Sequence, residues 1–150
     1  MTLTPQQLSD REEIKDAIYR WSRGVDIADF DLLRSSYTDD LHADFVSLGL
    51  PVMGADVFLD MMKKSKDYFI NHHILSNTTF HELTAATART STMVTATSIP
   101  TGGGVPFNTY GWYHDDLRKT KDGWRICKRH CQKVYDTNKV KDFTPPALKK

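Results

Sequence analysis

With 150 residues, of which 39% are hydrophobic and 26% are charged, the chain is long enough for one domain with its own core. A net charge of +1 gives no electrostatic reason to expect a nucleic-acid partner. No apolar run is long enough to span a bilayer, and residues 1–5 lack the basic and apolar regions of a secretory signal. We therefore expect no membrane association and a cytoplasmic location.

The first predicted element is a helix that begins at Ser9, which Glu12 follows at the spacing of a capping box. Apolar side chains then recur at helical spacing and predict one buried stripe, formed by Ile14, Ala17, Ile18, Trp21 and Val25. Asp26 comes one turn beyond Ser22, which places its carboxylate near that buried face. From composition alone, the simpler interpretation of Asp26 is a surface acid or a cap for the next turn.

A second short helix is predicted from Phe30, with Asp29 as its cap, because an aspartate accepts hydrogen bonds from the free N–H groups of a first turn. Residues 41–50 alternate in the manner of a strand, and Gly54 marks the turn that follows. Helical periodicity returns from Ala55, where a stripe of methionine and aromatic side chains is most simply part of the core.

The central predicted strand, over residues 71–77, carries the residues on which the functional hypothesis depends. Alternation along a strand puts His73, Leu75 and Asn77 on one face. A neutral imidazole accepts a proton near physiological pH, so we interpret His73 as a general base that Asp26 orients. The alternative is a histidine that only satisfies hydrogen bonds within the sheet.

Three further strands are predicted, which cover residues 84–98, 106–119 and 124–135. On the second of these, Gly111 and Tyr113 share one face, and Tyr110 and Trp112 share the other. Residues 136–150 contain two consecutive prolines and are expected to be irregular.

Cys127 and Cys131 lie four residues apart on the last predicted strand, which is too far for a disulfide. Two reduced thiols fit a cytoplasmic protein. Even with His130 between them, the spacing matches no common zinc pattern, so we predict no metal site.

Helical segments followed by an antiparallel meander indicate an α+β fold, in which N-terminal helices pack on the concave face of a curved, mostly antiparallel sheet. Such a half-closed cone encloses a space suited to one small hydrophobic ligand. Residues 1–150 form a single domain on this interpretation. The sheet face that carries Tyr110 and Trp112 requires cover, which predicts a homo-oligomer.

Several short motifs occur in a consistent order along most of the chain. They are Arg11-Glu12-Glu13-Ile14, Gly24-Val25-Asp26, Asp39-Asp40, Gly54, His73-x-x-x-Asn77 and Asp122-Gly123-Trp124. From residue 8 to residue 136, their order and spacing resemble the SnoaL-like, nuclear-transport-factor-two-like family. The resemblance implies the α+β cone. It says less about chemistry, because that family includes dehydratases, isomerases, cyclases, epoxide hydrolases and non-catalytic subunits.

Within that family the chain most resembles the scytalone dehydratases and the hexachlorocyclohexane dehydrochlorinase, which use an Asp–His pair. Asp26 and His73 stand at the positions of that pair. The dehydrochlorinase also places an arginine on the last strand, where Arg129 stands, and Gly111 and Tyr113 match its penultimate strand. The related enzymes are trimers, so the resemblance implies a homotrimer.

The departing group of an elimination, hydroxide or halide, needs positive charge or hydrogen-bond donors. We assign that task first to Arg129 and then to Tyr113 and Asn77. Trp21 and Phe45 are expected to form pocket walls. At both positions the chain differs from its relatives. Trp21 stands where the dehydrochlorinase has an active-site lysine, and Phe45 stands near one of the active-site tyrosines of the dehydratase. These differences leave the identity of the substrate undetermined.

The function predicted from these features is that of a cofactor-independent lyase, a dehydratase or dehydrohalogenase that acts on a small hydrophobic cyclic substrate. One alternative is an isomerase or cyclase that uses the same Asp26–His73 pair on a ketone or polyketide. Another is a non-catalytic cone that binds a small molecule or supports a partner subunit. No serine, cysteine or lysine is obviously placed as a nucleophile, which disfavours covalent catalysis.

Overall fold

The computed structural model describes residues 2–137. The helices are α1 (Pro5–Asp26), α2 (Phe30–Arg34) and α3 (Ala55–Ser65), with a short 3-10 helix over Val46–Leu48. The strands are β1 (Tyr37–Asp44), β2 (Val52–Met53), β3 (Phe69–Leu83), β4 (Thr87–Pro100), β5 (Phe107–Thr120) and β6 (Gly123–Thr137). Residues 136 and 137, expected to be irregular, end β6, and the rest of that predicted tail lies outside the described residues.

The six strands form one sheet in the order β2-β1-β6-β5-β4-β3. Neighbouring strands are antiparallel except for β1 and β6, which run parallel. Helix α1 packs against β3 and β6, and α3 packs against β1. This arrangement is the α+β cone predicted from the sequence, with the N-terminal helices on the concave face of a mostly antiparallel sheet.

Helix α1 begins earlier than the sequence predicted. Thr4 caps it in a capping box with Gln7, and Pro5 occupies the first turn, where a missing N–H costs nothing. The predicted start at Ser9 is wrong because the next residue, Asp10, is a buried interior residue of α1 that accepts a hydrogen bond from Trp124 of β6.

Helix α2 and its Asp29 cap are as predicted, since the Asp29 carboxylate accepts the Leu32 N–H. Gly24 near the end of α1 allows the two helices to touch. A Cβ atom at Gly24 would lie 2.6 Å from the backbone nitrogen of Leu33, closer than real Cβ contacts occur. The glycine therefore permits close packing of α1 on α2, and its low helix propensity is a secondary matter.

Strand β1 covers Tyr37–Asp44, whereas the sequence predicted a strand over residues 41–50. The chain leaves the sheet at Asp44, whose carboxylate accepts the Val46 N–H and starts the 3-10 helix. Gly49 then adopts a left-handed conformation (φ 82°) that turns the chain back toward β2. A local hydrogen bond from the Asp44 side chain to the backbone thus ends a strand that the alternating sequence predicted to continue.

Strand β3 contains a bulge that reverses which side chains face inward. Asn77 has a positive φ of 51°, and the pairing with β4 shifts between Ser76 and Thr79. Before the bulge the inward side chains include His73 and Leu75, and after it they include Thr78 and Phe80. An asparagine tolerates this left-handed conformation better than most residues, which fits a bulge at this position.

Strand β6 contains a second bulge. Leu117 of β5 pairs with Ile126, but its neighbour Asp116 pairs with Lys128, so Cys127 is an extra residue. Strict alternation from Ile126 would turn Arg129 outward. The bulge turns it into the same interior as Ile126, and Arg129 is fully buried there.

The core lies between the helices and the inner face of the sheet. The predicted stripe of α1 is confirmed, with Ile14, Ala17, Ile18 and Trp21 buried and Val25 partly buried. Full burial of one such aliphatic or aromatic side chain stabilises a fold by roughly 1.5–3 kcal/mol. None of the helices within residues 2–137 has the length and apolar character needed to cross a bilayer.

Candidate active site

Asp26 ends α1, and His73 lies near the start of β3, which packs against that helix. Oδ1 of Asp26 is 2.5 Å from Nδ1 of His73, and Oδ2 accepts the backbone N–H of the same histidine at 2.9 Å. Because a carboxylate only accepts hydrogen bonds, a neutral His73 ring carries its proton on Nδ1 and keeps the Nε2 lone pair. The structure therefore brings together the two residues that the hypothesis required.

His73 contributes to the wall of a partly open cavity of about 170 Å³. The walls are mainly apolar and include Val25, Leu48, Leu50, Phe58, Met61 and Val94. Asp26 lines an open cleft of about 420 Å³, which His73 also borders. The side chains of Asp26 and His73 are 18% and 10% exposed, and of the two only His73 borders both the cleft and the apolar cavity.

Three predicted pocket residues, Trp21, Phe45 and Tyr113, line this cavity. The Trp21 and Phe58 rings stack with centroids 4.5 Å apart, and Phe45 stacks on Phe58 at 5.9 Å. Tyr113 meets Phe45 edge to face at 6.5 Å. These contacts fix the shape of the aromatic part of the cavity wall, since each ring packs against another ring.

Two groups in the wall hold their protons at neutral pH. Burial raises the pKa of the Cys131 thiol to about 12, so this cysteine is not a thiolate nucleophile. Burial also raises the pKa of the Tyr113 hydroxyl above its ordinary value. Tyr113 therefore presents a neutral phenol, which can donate a hydrogen bond within the site.

Arg129 does not line the cavity, contrary to its predicted substrate-binding position. Its guanidinium group forms two hydrogen bonds of 2.7 Å with Asp115, and both side chains are fully buried. The arginine lies beneath the Trp21 and Tyr113 rings and is paired with the Asp115 carboxylate. A departing anion in the cavity therefore meets the rings before it can meet this charge.

Asn77 does not share the inward face with His73, because the β3 bulge lies between them. Its side chain is exposed and donates a hydrogen bond to the sulfur of Met93 on the outer side of the sheet. The prediction from strict alternation is wrong at this position, and Asn77 has no place in the cavity wall.

Sequence reasoning missed the polar groups that do line the cavity, which are Ser65, Asn71 and Thr109. Asn71 is the most notable of them, because it lies two residues before His73 on the same inward face of β3. The Ser98 hydroxyl donates to Asn71 Oδ1, and the amide nitrogen of Asn71 remains a potential donor. Its spacing from His73 was the available signal.

A larger open cleft, of about 590 Å³, lies away from His73. Arg34 pairs with Asp39 there, and Arg118 pairs with Asp40, so much of the charge in its walls is neutralised. We place the candidate site in the smaller cavity, because that cavity combines apolar walls with the oriented histidine. Within residues 2–137, no group of His, Cys, Asp or Glu side chains is arranged to hold a metal ion.

Solved structures share this fold over nearly the whole chain. A Novosphingobium aromaticivorans protein, provisionally named a scytalone dehydratase, superimposes with a TM-score of 0.84 at 18% identity, over 92% of this chain and 93% of its own. The hexachlorocyclohexane dehydrochlorinase LinA-type3 of Novosphingobium barchaimii gives a TM-score of 0.75 at 19% identity, over 93% and 97%. At these identities, the likeness establishes the fold.

Sequence comparison gives the same result. The uncharacterized protein Rv2910c of Mycobacterium tuberculosis is 28% identical over 133 residues, which are 85% of this chain and 87% of the relative. The profile of the SnoaL-like domain matches residues 6–130. The chain therefore belongs to the SnoaL-like domain family.

Proposed function

We propose that the protein is a cofactor-independent lyase that eliminates water or halide from a small hydrophobic cyclic substrate, with His73 as general base and Asp26 as its orienting carboxylate. The observation that carries the proposal is the 2.5 Å contact between Asp26 Oδ1 and His73 Nδ1 at the wall of an apolar cavity. The structural neighbours named as a dehydratase and a dehydrochlorinase support elimination as the reaction class.

The two hydrogen bonds from His73 to Asp26 determine what the histidine can do. With Nδ1–H directed at the carboxylate, Nε2 is the nitrogen that accepts a proton from substrate carbon. The carboxylate then stabilises the imidazolium ion without taking the proton itself. General-base assistance of this kind contributes on the order of 10²–10⁴ in rate.

The leaving group requires a proton or a hydrogen bond, because no lysine or arginine among residues 2–137 lines the cavity. We assign this task to the neutral phenol of Tyr113, with Asn71 as a further donor. A hydroxyl group departs as water once it receives a proton, so this wall suits dehydration better than loss of halide. The cavity, of about 170 Å³ and with mainly apolar walls, suits a compact hydrophobic part of a substrate.

The test compares His73→Ala with His42→Ala on candidate hydroxylated and halogenated cyclic compounds. His42 is exposed on β1 and lines neither the cavity nor the cleft that Asp26 faces, so its replacement is a matched control. We expect His73→Ala to lose at least about a hundredfold in kcat/KM, and His42→Ala to stay near the parent. Full activity of His73→Ala, with an unfolding temperature like the parent's, would reject the proposal.

An isomerase or cyclase acting on a ketone or polyketide is the second candidate, favoured by the absence of a cationic side chain from the described cavity wall. Such an enzyme expels no anion and needs only the same base and a hydrogen bond to an enolate oxygen. Mass spectrometry of the product separates the two candidates, because loss of water or halide lowers the product mass and isomerisation leaves it unchanged.

A further inference from the structure

Asp115 and Arg129 form a buried charge pair inside the protein. They are cross-strand neighbours on β5 and β6, and their side chains are fully buried. Nε and Nη2 of Arg129 donate to the two carboxylate oxygens at 2.7 Å, whereas Nη1 has no hydrogen-bond partner among the described residues. A paired fork of this kind fixes the plane and position of the guanidinium group.

The guanidinium carbon lies between two aromatic rings. It is 4.0 Å from the centroid of Tyr113 and 4.3 Å from that of Trp21. Both rings line the cavity, whereas Arg129 and Asp115 do not. Any influence of this charge pair on a ligand therefore passes through the rings, and Tyr113 is the one with a transferable proton.

We propose that Asp115 and Arg129 are positioning residues for Tyr113, which hold a positive charge against its ring and so favour transfer of its proton to the leaving oxygen. The proposal rests on the proposed function, in which Tyr113 is the donor. In that step the phenol O–H bond breaks and a new O–H bond forms on the departing hydroxyl group, which leaves as water. The proton that His73 took from carbon later restores the phenol.

The physical basis is that a nearby cation stabilises the negatively charged phenolate more than the neutral phenol. Burial raises the pKa of Tyr113 most. Cys131 and the negative charges of Asp115 and Asp26 raise it further, while the positive charge of Arg129 lowers it. A desolvated cation over an aromatic ring stabilises that ring electrostatically, and it does so more strongly when the ring system becomes anionic. Arg129 is thus the nearby charge that opposes the cost of ionising this tyrosine.

The first test measures ionisation of the residue itself, without substrate. A fluorinated tyrosine is incorporated at position 113, and its titration is followed by ¹⁹F NMR. The double variant Asp115→Asn/Arg129→Met removes both charges at similar volume, a change that buried pairs commonly tolerate. We expect its fluorotyrosine pKa to rise, because Arg129 lowers the pKa of Tyr113 more than Asp115 raises it. Asp115→Asn alone leaves the cation unopposed and is expected to lower it.

Asp10→Asn is the matched control, because Asp10 is another buried, ion-paired carboxylate but does not line the cavity. It should leave the titration at position 113 unchanged. A double variant that titrates as the parent does would overturn the proposal, and so would a shift of the same size in Asp10→Asn.

The second test uses turnover and separates this proposal from the proposed function. We expect the double variant to lower kcat with KM near the parent's value, and to cause no further loss in a Tyr113→Phe background. Equal losses with and without the Tyr113 hydroxyl would overturn the positioning role. If the parent turns over no substrate, the proposed function fails, and the ¹⁹F titration still decides whether the charge pair controls Tyr113.

Discussion

Asp26 holds His73 at two points, the ring nitrogen and the backbone nitrogen of the same residue. The hydrogen bond to the backbone N–H fixes the position of β3 relative to the end of α1. The hydrogen bond to the ring nitrogen fixes the orientation of the imidazole plane. One carboxylate therefore joins a structural task to an electrostatic one. Exchange of a single atom can separate these two tasks, because an asparagine keeps one acceptor oxygen and loses the negative charge.

We expect Asp26→Asn to retain the fold and to lower kcat by at least about a hundredfold, since an amide cannot stabilise the imidazolium ion. Thermal unfolding and steady-state kinetics on the same preparation provide the measurement. Asp31→Asn, at an exposed position of α2, is the control and should change neither. Full turnover of Asp26→Asn would show that the carboxylate has only a structural role and does not assist His73 in catalysis.

At the scale of elements, the close approach of α1 and α2 depends on Gly24. We expect Gly24→Ala to destabilise the protein by about 2 kcal/mol, because the new methyl group would overlap the Leu33 backbone and force the helices apart. The higher helix propensity of alanine offsets only part of this loss in the free energy of unfolding. Denaturant unfolding measures the difference.

Gly102→Ala is the matched control, because a Cβ atom there has no neighbour within 4 Å. It should change the free energy of unfolding by less than about 0.5 kcal/mol. Equal stability of the two variants would show that α1 and α2 can move apart without cost.

Helices and strands were predictable from the sequence wherever the spacing of hydrophobic residues stayed regular. The buried stripe of α1, which includes Ile14 and Trp21, is an example. The bulges at Asn77 and Cys127 were not predictable, because a single extra residue inverts every later side chain and leaves little local signal. This is why Asn77 was placed inside and is outside. It is also why the Asp115–Arg129 pair, which depends on the register of β5 and β6, could not be foreseen.

For the whole molecule, a buried polar contact joins the start of the chain to its last hairpin. Asp10 of α1 accepts hydrogen bonds from Lys119 Nζ at 2.7 Å and from Trp124 Nε1 at 3.0 Å. These bonds, from Lys119 first and then Trp124, hold the pKa of Asp10 below its ordinary value. Because the folded-state pKa is lowered, this stability is present above the unfolded-state pKa of about 3.9 and is lost as pH falls through the folded-state value.

Asp10→Asn should therefore cost about 2 kcal/mol at pH 7, and its deficit relative to the parent should shrink in strong acid, where the parent's carboxyl group is protonated as well. Guanidinium unfolding at neutral and acid pH measures both values. Asp60→Asn, at an exposed position of α3, is the control and should differ little from the parent at either pH. A deficit that stays constant with pH would contradict the assignment.

The outer face of the sheet bears on the predicted trimer. Ile70 and Ile74 of β3 are 56% and 57% exposed there, and Met93 of β4 is 38% exposed. We predict that sedimentation equilibrium gives the mass of three chains, and that Ile74→Lys lowers this mass because it places a charge in the covered face. Val57→Lys, at a 60% exposed position of α3, should leave the mass unchanged. A one-chain mass for the parent would end the trimer prediction.

The parallel pairing of β1 with β6 has a consequence for synthesis of the protein. A nascent chain holds α1, α2 and β1 before the strand that pairs in parallel with β1 has been made. That strand follows β2, β3, β4 and β5 in sequence, so the parallel pairing of β1 must wait for it, although α1 can already contact β3. Chains shortened within β6 should accumulate as protease-sensitive species, even though their missing residues are far in sequence from the helices.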